Sequence, residues 1–167
     1  MEDTIRKMTE NDWSNVYAIY KQGMETNLAT FSVEEITYDE FSEERLPEGR
    51  FVYETKDKKI AGWTTLKQSY DIPEYYGVCE VSIYVDEKFR GKGIATSLLN
   101  HLIAYSEKAG IWMLEADIFA NNKGSIAVHE KCGFRKVGYR EKMGRDQFGT
   151  WRDAVLLERR SKIVGVD

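Results

Sequence analysis

Val81-Ser82-Ile83-Tyr84-Val85-Asp86-Glu87-Lys88-Phe89-Arg90-Gly91-Lys92-Gly93-Ile94-Ala95 reads as strand, turn and helix in immediate succession. Val81, Ile83 and Val85 alternate with Ser82 and Tyr84, which is strand periodicity. After the glycines, Ile94, Leu98, Leu99, Leu102 and Ile103 follow helical spacing. Two glycines at the mouth of a helix leave backbone N–H groups bare. The helix dipole adds partial positive charge there, and Arg90 and Lys92 add full charges, so the turn is a seat for a phosphate. The competing reading is a tight turn whose glycines only supply positive φ. Gly-x-x-x-x-Gly-Lys-Ser/Thr is absent, which excludes a P-loop, and the third glycine of a dinucleotide turn is missing. What remains is Arg-x-x-Gly-x-Ala at Arg90, Gly93 and Ala95.

Outward from that segment, the chain divides into short elements. Thr4 to Lys7 reads as a first strand, and Thr9 to Asp12 as a capping segment for a helix with Val16, Ile19 and Tyr20 on its apolar face. A second helix is expected from Tyr38 to Leu46, ended by Pro47 and Gly49. Phe51 to Thr55 and Ile60 to Leu66 flank a charged turn and read as a hairpin. Residues 68–75 form a loop before the strand that carries Glu80. Gly110 ends the glycine-led helix. Met113 to Ile118 is the next strand, Ser125 to Lys131 a short helix, and Phe134 to Glu141 and Trp151 to Leu157 the last strands. The order β-α-α-β-β-β-α-β-α-β-β predicts an α/β (α+β) domain over residues 1–167, a mixed sheet with helices on both faces.

At 167 residues the chain can bury a full core, and 42% apolar with 31% charged residues is the balance of a soluble globular protein. A net charge of −4 gives no electrostatic case for nucleic acid or an anionic membrane. No apolar run approaches the ~20 residues a membrane span needs. The start of the chain lacks the apolar stretch of a signal peptide. Cys79 and Cys132 form no metal-ligand motif, and His101 and His129 are too far apart in sequence to suggest a histidine metal site. A cytoplasmic protein with reduced thiols and no metal is expected.

A second motif lies about 30 residues beyond the first. Asn122-Lys-Gly-Ser125-Ile-Ala-Val-His129-Glu-Lys-Cys-Gly133-Phe134 resembles the Asn-x-x-Ser-x-x-x-(Tyr or His)-x-x-x-Gly-Phe segment of the GCN5-related N-acetyltransferase superfamily. The Arg90–Ala95 turn resembles that superfamily's acetyl-CoA pyrophosphate loop. The phosphinothricin and methionine sulfoximine acetyltransferase branch is similar over nearly the whole chain. Ala29-Thr30-Phe31, Glu80-Val-Ser-Ile-Tyr-Val85 and Phe148-Gly-Thr-Trp151-Arg-Asp153 carry that likeness.

The resemblance implies the acyl-CoA N-acyltransferase fold, about six to seven strands with four helices, and a homodimer. It implies acetyl-CoA as cosubstrate and a small-molecule amine as acceptor, with the α-amino group of a free amino acid or analogue first. Pantetheine would pair with the backbone of Ile83, Tyr84 and Val85, near which a backbone N–H would meet the oxyanion. Arg90, Gly91, Lys92, Gly93, Ile94, Ala95 and Thr96 would cradle the pyrophosphate, and Asn122 and Ser125 would touch the pantetheine arm. Asn122 could equally be a helix cap.

Acetyl transfer to an amine needs a neutral nucleophile, a donor for the oxyanion, and a fate for the thiolate. The resemblance implies that Glu80 is the general base, and its neighbours Val78, Cys79 and Val81 suggest a partly apolar setting; an exposed strand-edge carboxylate is the alternative. His129 stands where many superfamily members have a tyrosine acid, and it is the candidate proton donor to the thiolate. A packed helix histidine is the alternative. For the acceptor pocket, Phe31, Lys67, Tyr70 and Tyr75 are the candidates. Here the chain departs from the branch, whose arginine in the loop before the catalytic strand grips the acidic substrate. Gln68 to Tyr75 holds no arginine, and Tyr70 falls about where it belongs. Lys67 lacks the planar fork of arginine. Weak use of phosphinothricin and methionine sulfoximine is therefore expected, unless an arginine from elsewhere, such as Arg50 or Arg152, supplies the grip. A protein or peptide amine, or an acyl-CoA sensor without catalysis, are the alternative functions.

Overall fold

The computed structural model describes residues 2–26 and 34–167. Its elements run in the expected order. β1 (Thr4–Lys7) leads through a single 3-10 turn to α1 (Trp13–Thr26). Asp12 closes that turn by accepting from the Thr9 N–H at 2.8 Å and hydroxyl at 3.0 Å. Then come α2 (Tyr38–Glu43), β2 (Arg50–Glu54), β3 (Ile60–Gln68), β4 (Val78–Val85), α3 (Ile94–Lys108), β5 (Met113–Phe119), α4 (Lys123–Lys131), β6 (Arg135–Arg145) and β7 (Trp151–Arg160). α2 is shorter than its sequence pattern suggests. Arg45 and Leu46 leave the helix, and the Leu46 N–H donates to the Leu66 carbonyl at 2.8 Å, so a strand contact takes over from the helical ladder.

The seven strands form one sheet in the order β1-β2-β3-β4-β5-β7-β6. Every pairing is antiparallel except β4 with β5. Because strand side chains alternate, neighbouring residues feed opposite faces. Phe51, Leu66, Cys79, Val81, Leu114, Ala116 and Ile118 pack with α3 (Leu99, Leu102, Ile103) and with Ile126 of α4. Val52 and Trp63 pack on the other face with α1 (Val16, Ile19, Tyr20) and Phe41 of α2. Trp63 is fully buried, and its indole N–H donates to the Val16 carbonyl at 3.1 Å, tying α1 to the sheet. Trp63 is thus core between sheet and helix. Among the described residues, no helix is long and apolar enough to cross a membrane.

The alternation places the charged strand residues. Val81 of β4 faces α3, so Glu80 and Ser82 face the α1 side. On β5, Leu114 and Ala116 face α3, so Glu115 and Asp117 join Glu80. On β3, Leu66 faces α3, so Thr65 and Lys67 also lie on the side of Glu80. One face of the sheet centre therefore gathers carboxylates and a lysine.

Candidate active site

Among the described residues, the one parallel pair of the sheet is short. β4 and β5 pair from Val78↔Met113 to Glu80↔Glu115. The ladder stops there, although β4 runs on to Val85 and β5 to Phe119. Two cavities open along this divergence.

The first has a volume of about 550 Å³ and is lined by Ile83, Tyr84 and Val85 of β4, the turn residues Arg90, Gly91 and Gly93, and Ile94, Ala95 and Thr96 of α3. Asn122, Ser125 and Val128 close it from the α4 side. Gly91 and Gly93 hold φ of +75° and +78°, and a Cβ at either would meet nothing within 4 Å. The turn therefore needs glycine for its backbone, and beside that backbone lies open space of the kind a phosphate fills. The Ser97 N–H donates to the Gly93 carbonyl at 3.0 Å, closing the first helical turn. The N–H groups of residues 94–96 precede that bond and have no intrahelical acceptor. Lys92 does not line this cavity. Its ammonium sits 5.0 Å from the ring centre of Phe89.

The second cavity, about 320 Å³, is lined by Glu80, Ser82, Ile83 and Tyr84 of β4 together with Lys67, Asp117, Asn122, Ser125 and His129. Arg45, Glu44, Tyr20 and Met143 also line it. Ile83, Tyr84, Asn122 and Ser125 border both cavities, so this is where they meet.

Glu80 is exposed to solvent yet lines the cavity among other charged residues. Burial pushes its pKa up, Lys67 and Arg45 pull it down, and Asp117 and Glu115 push it up again. A carboxylate raised this way is a stronger base than one in free water. Asp117 is raised as well by burial, opposed by Arg140, whose guanidinium stands 3.7 Å away.

His129 is 2% exposed, and its ring packs edge-on against Phe134 at 5.0 Å. Nδ1 lies 2.7 Å from the Ser125 carbonyl. A carbonyl oxygen only accepts, so Nδ1 carries the proton and Nε2 of the neutral ring has none to give. Burial lowers the imidazole pKa, which keeps the ring neutral. This geometry argues against the expected role of proton donor. Asn122 caps α4, its side chain accepting from the Ser125 N–H at 3.2 Å, while it borders both cavities. The two readings of Asn122 are therefore compatible.

Of the expected acceptor residues that are described, Lys67 lines the second cavity and Tyr70 and Tyr75 do not. Tyr70 and Tyr75 pack edge to face at 5.4 Å, both exposed, and the Tyr70 hydroxyl donates to Glu115 at 3.4 Å. They stand outside the residues that wall the cavity. Phe31, with Ala29 and Thr30, lies outside the described residues. Arg50 is committed to the Ser42 and Arg45 carbonyls, and Arg152 to Asp146 at 2.8 Å.

Among the cavity residues that escaped the sequence reading are Asp117 and Arg45. Asp117 had a signal, since Glu115 and Asp117 share strand parity with Glu80. Arg45 had none, because it reaches the site by packing α2 against β3.

Residues 13–134 match the model of the acetyltransferase (GNAT) family. A Bacillus subtilis (strain 168) protein provisionally named a phosphinothricin acetyltransferase is 33% identical over 139 residues, 81% of this chain and 85% of that one. The L-methionine sulfoximine/L-methionine sulfone acetyltransferase of Pseudomonas paraeruginosa (strain DSM 24068 / PA7) is 25% identical over 163 residues, 95% of this chain and 94% of that one. The solved phosphinothricin acetyltransferase from Sinorhizobium meliloti, in complex with acetyl-CoA, superposes with a TM-score of 0.89. It is 24% identical, with coverage of 100% of this chain and 92% of that one.

Proposed function

The chain belongs to the acetyltransferase (GNAT) family and is an acetyl-CoA-dependent N-acetyltransferase; on that premise we propose that it acetylates the α-amino group of a free amino acid or close analogue, with Glu80 as general base. One observation carries the reading. A glycine-lined cavity suited to a pyrophosphate meets a second cavity holding Glu80 at a shared wall of four residues. Donor and acceptor brought there would meet within reach of one base.

Acetyl-CoA supplies the activated acyl carbon and a thiolate leaving group. The residues supply the rest. Glu80, directly or through a water, removes one proton from the ammonium form of the acceptor, freeing its lone pair. The new C–N bond forms as the C–S bond breaks. The amine's second proton leaves to the thiolate, so amide, free thiol and one proton on Glu80 result. A backbone N–H near Val85 is the donor proposed for the carbonyl oxygen. His129 serves in this reading as a packed support for the carbonyl of Ser125.

The relatives named for phosphinothricin and for methionine sulfoximine or sulfone favour a free amino-acid analogue over a protein amine. A homodimer belongs to the same reading. Val137, Tyr139 and Met143 lie exposed along β6, a sheet edge that a second copy could cover. Light scattering tests that part.

The decisive experiment measures thiol release from acetyl-CoA across a panel of amino acids, simple amines and peptides. Turnover on free amino acids is expected to fall about 10²–10⁴-fold in Glu80→Gln, with acetyl-CoA affinity nearly unchanged. Wild-type preference for peptides, or a Glu80→Gln variant active across the pH range, refutes the proposal.

A further inference from the structure

Arg45 is the arginine of the second cavity, and its guanidinium makes no hydrogen bond to a carboxylate. Only 9% of its side chain is exposed. Nε donates to the Thr65 hydroxyl at 3.3 Å and Nη1 to the Phe41 carbonyl at 3.0 Å, and the guanidinium lies 3.9 Å over the Phe41 ring centre. These contacts are all with neutral groups. Arg6, Arg152 and Arg159, by contrast, meet carboxylates at 2.8, 2.8 and 3.0 Å. The nearest carboxylate to Arg45 is that of Glu44, at 3.7 Å, on a side chain 60% exposed. That is beyond hydrogen-bond distance. A guanidinium taken out of water without a bonded anion is costly, and burial does work against its charge.

Lys67 adds a second cation. Its ammonium is also 3.7 Å from a Glu44 oxygen, and it is the same Oε2 that Arg45 approaches. Two cations of one cavity thus converge on a single point, held loosely by a solvent-exposed carboxylate. Across the β3–β4 pair, Lys67 stands directly opposite Glu80. Side chains of directly opposed residues start about 5 Å apart. The cationic point and the base therefore border the same cavity from paired strands.

We propose that Arg45, with Lys67, binds the α-carboxylate of the acceptor, so that Glu44 yields its place to substrate and the enzyme selects amino acids over the corresponding amines. This rests on the acceptor assignment above and deepens it. It also supplies what the loop Gln68–Tyr75 lacks. The planar fork comes from the end of α2, positioned by Thr65 and Phe41, rather than from the segment before β4.

The test compares L-methionine sulfone with its α-carboxamide, which keeps the amine and side chain but removes the carboxylate. Phosphinothricin and its α-carboxamide form a second pair, in which a side-chain anion remains. The full-length protein is assayed at saturating acetyl-CoA. Losing one charge-assisted bond predicts that Arg45→Gln raises KM for the free acids about 10–100-fold. KM for the carboxamides should change less than about threefold, with kcat moving little in either case. Arg45→Lys should recover part of the loss, and Glu44→Gln should lower KM for the acids by removing a competing carboxylate.

Thermal melts confirm that each variant is folded. If Arg45→Gln does not fold, Glu44→Gln and Lys67→Gln still decide the matter, since the proposal requires opposite shifts in KM. Equal use of acid and carboxamide by the wild type overturns the inference, as does a Glu44→Gln variant with raised KM for the acids. Retained discrimination for phosphinothricin carboxamide alone moves the contact to the side-chain anion and also overturns it. A wild type that acetylates simple amines but neither acid sinks this inference while leaving acetyl transfer intact. A wild type that acetylates no amine sinks both.

Discussion

Replacing Gly93 by valine separates the cost of a backbone conformation from the cost of losing a ligand site. Gly93 sits at φ +78° as the cap of α3, with nothing within 4 Å of where a Cβ would stand. A Cβ there therefore meets no protein atom, and the main cost to the fold is the left-handed strain, about 1–2 kcal/mol. In a chain of this size that lowers Tm by about 2–8 °C. The binding cost is larger. The branched side chain fills the open space beside the N–H groups of residues 94–96. Two charge-assisted hydrogen bonds lost there, at about 1.5–3 kcal/mol each, amount to about 3–6 kcal/mol. Acetyl-CoA affinity should fall by about 10²–10⁴-fold. Calorimetric titration, run beside thermal melts and with Gly93→Ala as the milder step, reads both costs. A folded Gly93→Val protein that binds acetyl-CoA within threefold of wild type would show that the pyrophosphate lies elsewhere.

His129→Gln should leave turnover within about an order of magnitude of wild type, because the buried neutral ring has no proton on Nε2 to donate; a loss near the 10²–10⁴-fold of general acid–base catalysis would restore it as the acid. Glu80 also links activity to stability. Its folded pKa lies above the ordinary glutamate value of about 4.3. The native state thus binds the extra proton, and stability drops as pH rises through the interval between the two values. Glu80→Gln removes that loss. Its melting temperature should exceed wild type at about pH 8 and converge with it near pH 4. Equal melting at both pH values would place Glu80 in a water-like setting. The same raised pKa predicts that wild-type kcat/KM declines on acidification at a higher pH than an unperturbed glutamate would give, and that this limb vanishes in Glu80→Gln.

Much of this protein follows from local sequence. The strand of Val81 to Val85, the left-handed glycines at 91 and 93 and the apolar stripe of α3 depend on period, turn chemistry and capping, which act over a few residues. So did the order of all eleven elements and the two motifs that point to acetyl transfer. Glu80 was legible because a motif surrounded it. The composition of the second cavity was not. Arg45 lies 20 residues from Thr65 and 35 from Glu80 in the chain, and no periodicity connects them. It enters because α2 stops at Glu43 and the chain then pairs with β3. His129 shows the converse. Its residue type suggested an acid, while the Ser125 carbonyl, set by helix packing, holds the proton of the neutral ring on Nδ1. Tyr70 lies near Lys67 in sequence, but the β3–β4 loop carries it out to Tyr75 and Glu115. Sequence specified which short segments form and which chemistry they can hold. The tertiary structure alone decided which charges share a cavity, because charge pairing and burial depend on distances between segments that the chain brings together only when its sheet has formed.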